Sequence, residues 1–281
     1  MDYRKKYTLS RGVQLISDLH LDTRANWMEH IPLIVPPDDQ KASTLIIAGD
    51  VGSLKDPLYA DYIRELTTGY KRAAMVAGNH ESYGMGMYVP DVLDHLERVC
   101  SSMNVPTVLL RNQGSHMDIP GTSHRVIGDT LWTDVPVEYP EDAGLILNDY
   151  NYVSGQNGGM ITTDEVRELH QYGKFWLDFS LDKARRDGKM AVVVTHHCPE
   201  WKLSVKNNHR TVNGMGPLYF SRDMGTLFKK YRDVIYTWCY GHTHESHVMS
   251  IPSLPFTFVT NCYGYAGDAT GCSRGSGFLL P

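Results

Sequence analysis

The chain predicts an α/β fold, and three observations lead there. Short, continuous apolar runs recur: Val13 to Ile16, Thr44 to Ala48, Ala73 to Ala77. Uninterrupted apolar character over four to six residues suits a strand covered on both faces. Segments with helical spacing lie between these runs, and strands separated by helices pair in parallel. Each run also stops at Asp, Asn or His, just where a parallel sheet would present its carboxyl edge.

Taken in order, Val13-Gln14-Leu15-Ile16 is the first strand, running out at Ser17-Asp18-Leu19-His20. Residues i and i+2 of an extended chain point the same way, which predicts that Asp18 and His20 reach one point beyond the strand. Asp22 to Asp39, punctuated by Pro32, Pro36 and Pro37, reads as irregular. Thr44 to Ala48 is a strand ending in Gly49-Asp50, and Tyr59, Tyr62, Ile63 and Leu66 place one apolar helical stripe inward. Ala73 to Ala77 is the next strand, ending in Gly78-Asn79-His80-Glu81. The glycines before Asp50, Asn79 and His242 are read as residues that let the backbone turn tightly.

Pro90 suits the first turn of a helix whose buried face is Val89, Val92, Leu93, Leu96, Val99, Cys100 and Met103. Thr107 to Leu110, Ser115 to Ile119 and His124 to Trp132 read as short strands on the far side of the fold, with Pro120-Gly121 as a turn. Asp134 to Gly159 has no assignable pattern. Thr162 and Glu165 have capping-box spacing, so a helix runs from there to about Arg186, with Gly188 as its stop. Lys189 to Thr195 is a strand ending in His196-His197-Cys198-Pro199. A polar loop, Glu200 to Pro217, leads to a helix from about Arg222 with Ser221 as N-cap. Val234 to Tyr240 is a strand ending in Gly241-His242-Thr243-His244, and short strands with a glycine-rich tail follow. With no repeat, low-complexity tract or linker, residues 1–281 read as one domain.

Hydrophobic residues make up 42% of the chain and charged residues 21%, as in ordinary globular proteins. A net charge of −5 argues against coating nucleic acid by bulk electrostatics and leaves room for a local basic patch. Met1 to Lys6 is charged with no apolar stretch after it, so no signal peptide is expected, and no run is long enough to span a membrane. Five scattered cysteines without C-x-x-C spacing fit reduced thiols, hence a cytoplasmic protein.

Five strand ends therefore carry Asp18/His20, Asp50, Asn79/His80, His196 and His242/His244. Singly, each has a structural explanation, such as a turn residue or helix cap; jointly they point to a two-metal site. Two cations need a bridging carboxylate, and together they lower the pKa of a shared water enough to make a nucleophile near neutral pH. Nitrogen-rich mixed shells suit manganese first, with iron, zinc or nickel as alternatives.

These motifs, Asp18-x-His20, Gly49-Asp50, Gly78-Asn79-His80-Glu81, His196 and Gly241-His242-x-His244, resemble the calcineurin-like metallophosphoesterase superfamily from about Val13 to Tyr265. Gly128 to Asp134, Asn148-Asp149-Tyr150 and Val193 to His197 are similar to a bacterial and bacteriophage branch of it. The resemblance implies a four-layer αββα sandwich of two mixed sheets flanked by helices. It assigns Asp18, His20 and His244 to one metal, Asn79, His196 and His242 to the other, and Asp50 to both. It makes His80 the residue that protonates the leaving oxygen or steadies the transition state.

Departures narrow the substrate. The Gly-Asp-x-x-Asp-Arg-Gly phrase of the Ser/Thr protein phosphatases is absent after Gly49-Asp50. Lipid A precursor hydrolases carry Arg where this chain has His80. Similar chains read Asn-Pro-Arg-Gly-Tyr where this one reads Asn261-Cys262-Tyr263-Gly264-Tyr265, so that arginine's role is lost or supplied elsewhere. His197 either touches substrate or steadies a ligand, Lys206 and Arg210 are candidate phosphate contacts in a basic loop, and Tyr83 and Tyr88 either stack on a base or pack. Cys198 needs no nucleophilic role beside metals. The leading expectation is a phosphodiesterase acting on small phosphoesters, nucleotides or nucleic acid, with no membrane or protein partner. A phosphomonoesterase is the rival, and a silent scaffold the third reading.

Overall fold

The computed structural model describes residues 12–111, 113–134, 144–204 and 224–281. Two sheets lie face to face. The first joins β1 (Gly12–Ile16), β2 (Thr44–Ile47), β3 (Arg72–Met75) and β4 (Thr107–Leu109) in parallel. Its far edge is the antiparallel β11 (Gly277–Leu279), giving the order β11-β1-β2-β3-β4. The second sheet has the order β5-β6-β7-β8-β10-β9. Its parallel centre is β6 (His124–Asp129), β7 (Met190–Thr195), β8 (Ile235–Tyr240) and β10 (Thr257–Asn261). The edges β5 (His116–Asp118) and β9 (Ser246–Ser250) are antiparallel.

The period-2 alternation of side chains divides each strand between two cores. Val13, Leu15, Ile46, Ala48, Ala74 and Val76 meet Val126, Val192, Val194, Cys239 and Val259 between the sheets. From the same strands Ile16, Leu45, Ile47, Ala73 and Met75 face outward onto helices, as do Ile127, Ala191 and Val193 on the other side. Both faces of each sheet are covered, which is why the runs read as continuously apolar. Each buried branched side chain contributes about 1.5–3 kcal/mol.

The helices α2 (Tyr59–Thr67) and α3 (Val89–Ser101) cover the first sheet, burying Tyr59, Tyr62, Ile63 and Leu66, and Val89, Val92, Leu93, Leu96 and Cys100. The 24-residue helix α5 (Thr163–Arg186) packs on β6 and β7, and the short α6 (Gly225–Lys230) adds Leu227 and Phe228 to the outer core of the second sheet. The result is the four-layer αββα sandwich. Thr162 Oγ1 accepts from Glu165 N at 3.2 Å while Glu165 Oε2 accepts from Thr162 N at 2.8 Å, the predicted capping box.

Three expectations need correction. The stretch read as irregular holds a helix, α1 (Trp27–Ile34), which contains Pro32 and buries Ile34, with Trp27 edge-on to Tyr62. Its prolines masked an apolar spacing at Trp27, Ile31 and Ile34. Strand β4 pairs with β3 in the first sheet, not with the strands on the far side. Only β5 and β6 form the hairpin around Pro120-Gly121, and the strand expected to reach Trp132 stops at Asp129. The proposed N-cap Ser221 and helix start Arg222 lie outside the described residues; the described helix there begins at Gly225. A one-turn helix, α4 (Asp149–Tyr152), lies in the stretch that had no assignable pattern.

Candidate metal centre

The parallel strands of both sheets end along one edge, where the loops after β1, β2, β3, β7 and β8 meet. The turn after β1 is not extended. Asp18 and His20 have φ of 56° and 45°, in the left-handed region, as do Asp50 (53°), His242 (67°) and His244 (52°). Asp and His tolerate this region better than bulky residues, yet each such residue still costs on the order of 1 kcal/mol or more. Interlocked loops offset that cost. Asp18 N donates to Gly49 O at 3.0 Å, and Leu19 N and His20 N donate to Asp50 O at 2.7 and 3.1 Å. Gly241 N donates to His196 O at 2.9 Å, and His242 N donates to both Asp18 carboxylate oxygens at 3.0 Å. Asp18 and His20 therefore do converge, through a coiled turn rather than an extended one.

The three glycines act in two ways. Gly49 has a φ of +88°, a turn that favours glycine. Gly78 and Gly241 have ordinary backbones but no room: a Cβ on Gly78 would strike Asp50 Oδ1, and one on Gly241 would strike Ser17 Oγ.

Every described residue expected at the centre is brought together. His20 Nε2 and His244 Nε2 lie 3.1 Å apart, and His244 Nε2 is 3.5 Å from Asp18 Oδ1. His196 Nε2 is 3.0 Å from Asn79 Oδ1 and 3.4 Å from Asp50 Oδ2, while His20 Nε2 stands 3.9 Å from that same Asp50 oxygen. Three groups of donor atoms each converge closely enough to hold a metal ion: Asp18/His20/His244, Asp50/His196/His242 and His20/Asp50/His80. Asp50 belongs to two of them. Lys206 and Arg210 lie outside the described residues.

Outer hydrogen bonds aim these donors. The Nδ1 of His196 lies 2.8 Å from the carbonyl of Ala48, which needs the proton on Nδ1 and leaves the Nε2 lone pair facing Asn79 and Asp50. Asn79 Nδ2 donates to Asp149 Oδ1 at 2.8 Å and to Tyr83 Oη at 2.9 Å, so its oxygen faces His196. The Nδ1 of His244 pairs with Asp268 Oδ2 at 2.6 Å, leaving Nε2 for the centre. In the metal-free chain protons can sit between these donor atoms, and a set of carboxylates, imidazoles and one amide oxygen converging at these separations fits two divalent ions sharing Asp50.

The electrostatics agree with that fit. Burial would push the Asp50 carboxyl up, but the imidazoles of His196 and His80 hold it well below the usual carboxylate range. Burial would depress His196, but the Asp50 carboxylate lifts it to about 10, so a proton occupies the place where a metal ion would compete. Burial presses His20 and His242 well below the usual imidazole range, keeping both neutral, as ligands must be.

His197 is buried, with Nδ1 3.2 Å from Thr130 O and its ring 4.2 Å from His242. Burial and the nearby His196 push it down to about 3. Of its two expected roles, this environment suits the neighbour of a ligand. Cys198 is buried with its thiol pushed up, and its Sγ faces Glu200 O at 3.2 Å, so no thiolate forms there. Tyr83 packs: its ring stacks on His80 at 4.1 Å and its hydroxyl donates to Asp149 at 2.6 Å. Tyr263 lies 4.7 Å beneath the Arg24 guanidinium, which donates to the carbonyls of Leu19 and Gly264 and braces the loop.

Four residues at the centre had no role assigned from the sequence. The buried Glu81 carboxylate accepts from the backbone N–H of Gly78, Asp50 and Val51 at 2.6, 3.1 and 2.8 Å, and from Tyr59 Oη at 2.9 Å. It ties the loops after β2 and β3 together; burial and Asp50 push it up to about 7. Its signal was its place in the Gly78-Asn79-His80-Glu81 phrase at the end of β3. Asp149, at the start of the one-turn α4, and Asp268 and Tyr265, in a loop, are far away in sequence, with no periodicity to flag them.

A cleft of about 230 Å³ opens over Asp50, Asn79, His80 and His244, walled by Ile146, Leu147 and Tyr265. Among the described residues, a depression beside α3 around Asp94 and Glu97 has no comparable convergence of donors, and no helix is long and apolar enough to cross a membrane.

Comparison with known proteins agrees with this architecture. The chain is similar to Uncharacterized protein L509 of Acanthamoeba polyphaga mimivirus, 22% identical over 276 residues and covering 92% of each chain. Among solved structures, the Phosphopantetheinyl Hydrolase PptH of Mycobacterium tuberculosis superposes with a TM-score of 0.60 at 17% identity, covering 92% of this chain and 91% of that one. A dimetal phosphatase from Danio rerio is more distant, with a TM-score of 0.48 and 13% identity over 89% of this chain and 86% of that one. The model of the calcineurin-like phosphoesterases matches residues 13–246, and the chain belongs to that family.

Proposed function

We propose that the protein is a two-metal phosphodiesterase, in which Asp18, His20 and His244 hold one divalent ion and Asn79, His196 and His242 the other. Asp50 is shared between them. The observation that carries this reading is the single Asp50 Oδ2, 3.4 Å from His196 Nε2 and 3.9 Å from His20 Nε2. When bound, the ions supply Lewis acidity toward water and toward the phosphoryl oxygens. Manganese is the expected metal.

The chain's own residues do the rest. Asp149 and Asp268 keep Asn79 and His244 aimed, and Glu81 holds the Asp50 loop against the loop after β3. His80 stands in the cleft with its backbone N–H donating to Asp50 Oδ1 at 2.9 Å. Its imidazole gives a proton to the departing oxygen, a contribution of about 10²–10⁴ in rate where that oxygen leaves as an alkoxide. That need supports a diester with an unactivated leaving group, such as a nucleotide or nucleic-acid linkage, over a monoester. Loops from both sheets complete the centre, which supports reading the chain as one working domain. Five free cysteines support a reducing, cytoplasmic setting.

The test is a metal-supplemented assay of chromogenic mono- and diesters after exchange into Mn²⁺. Hydrolysis of diesters in preference to monoesters is expected, with about two metal equivalents per chain. Faster monoester turnover would make the protein a phosphatase, and bound metal with no turnover on any phosphoester would make it a scaffold.

A further inference from the structure

We propose that Tyr265 is a positioning residue for His80, fixing the imidazole at the angle from which it serves the departing oxygen. The inference rests on the role given to His80 above. Tyr265 Oη lies 2.9 Å from His80 Nε2, and the phenol ring stacks on His20 with centroids 4.2 Å apart and planes 25° from parallel. One side chain thus covers a candidate ligand with its face and holds the candidate proton donor with its tip.

The loop carrying Tyr265 is pinned to the centre at three points and braced once within itself. Tyr263 N donates to Ser17 O and Gly264 N to Asp18 O, both at 2.8 Å. Tyr265 N donates to Asp268 Oδ2 at 2.9 Å, and that oxygen also pairs with His244 Nδ1 at 2.6 Å. Gly264 makes the turn with a φ of +79°. The phenol is therefore held by the backbones and side chains that carry Asp18 and His244, and its position is fixed relative to theirs.

His80 needs such a contact. Tyr83 stacks on one of its faces at 4.1 Å, and His20 meets it edge-on at 4.4 Å. Ring contacts of this kind fix the plane of an imidazole but leave it free to slide within that plane. A hydrogen bond at Nε2 removes that freedom, and a misplacement of about 1 Å is enough to lower a rate up to a hundredfold. With Nε2–H donating to the phenol oxygen, the proton passed to the departing oxygen is the one on the other ring nitrogen, Nδ1, so the hydroxyl holds the ring both before and after that transfer.

Tyr265→Phe keeps the stack on His20 and removes only the hydroxyl. The manganese-loaded enzyme, its Y265F and H80A variants and the double variant are assayed on two diesters, one losing nitrophenoxide and one losing an alkoxide. For Y265F, kcat on the alkoxide substrate is expected to fall about tenfold, the worth of one hydrogen bond to an ionisable group. KM, metal content and the nitrophenoxide rate stay within about twofold, and Y265F has no further effect in the H80A background. In metal-free protein, the ¹⁵N resonance of His80 Nε2, assigned by its loss in H80A, is expected to shift in Y265F. An equal loss on both substrates, an additive loss in H80A, or an unmoved ¹⁵N resonance would overturn the inference. If H80A itself loses both substrates equally, the reading of His80 as proton donor fails instead.

Discussion

Asn79 Nδ2 and Asp149 Oδ1 are 2.8 Å apart, and this hydrogen bond, with the one to the Tyr83 hydroxyl that Asp149 also holds, decides which end of the Asn79 amide faces the centre. Both residues are buried, so neither has water as a substitute partner. Asp149→Ala frees the amide to turn its NH₂ toward His196, where a donor repels a cation. Metal affinity is expected to fall about 10–100-fold, read by competition with a chromophoric chelator. Wild-type affinity would show that Asn79 needs no such orientation.

His80→Ala tests the division of labour within the cleft. The donor-atom grouping puts His80 beside His20 and Asp50, so it is either a proton donor or a ligand. The account expects metal content to be unchanged while kcat on an alkyl diester falls about 10²–10⁴-fold. Elemental analysis showing lost metal would make it a ligand, and unchanged turnover would remove it from the chemistry.

Gly78→Ala places a methyl group against Asp50, whose backbone N would lie 2.6 Å from the new Cβ. The backbone there cannot yield without moving Asp50. A loss of stability of about 1–3 kcal/mol or more is expected, measured as a lower denaturation midpoint at unchanged m-value. An unaltered midpoint would mean that the loop has room.

The site was legible in the sequence to the extent that strand ends are legible. Apolar runs buried on both faces stop abruptly, and the side chains just beyond them were bound to meet along one sheet edge. The route was not legible. Asp18 and His20 converge because both adopt left-handed backbones, which their residue types permit but do not require. Helix α1 was hidden by Pro32 because proline is a stronger local signal than three apolar residues at helical spacing. Of the residues that aim the donors, Asp268 sits in a polar loop where aspartate is common, and Asp149 opens a one-turn helix too short to carry a pattern, so its phrase Asn148-Asp149-Tyr150 stood out by resemblance alone and its role only in the folded geometry. The three residues of β4 carry too little pattern to say which sheet they join.

Asp129, buried beneath α5 where a Cβ on Gly173 would strike its Oδ1, gives a pH prediction away from the metals. Burial pushes its carboxyl up to about 6, although Leu131 N donates to it at 2.8 Å. A group whose folded pKa is raised has its full stabilising effect below its unfolded pKa, and loses it as pH rises through the folded value. Ionisation of Asp129 should therefore remove about 3 kcal/mol between about pH 4 and pH 6.5. Asp129→Asn, which cannot ionise, should lack that slope in denaturant titrations of metal-free protein across this window. Parallel pH profiles for the two proteins would contradict the burial argument.

The central claim is that Asp50 bridges two cations. Anomalous diffraction from crystals grown with Mn²⁺ tests it most directly. The account predicts two peaks about 3.5–4 Å apart, one against Asp18, His20 and His244 and the other against Asn79, His196 and His242, with the Asp50 carboxylate between them. A lone peak that Asp50 does not touch, or no peak among these residues, would contradict it.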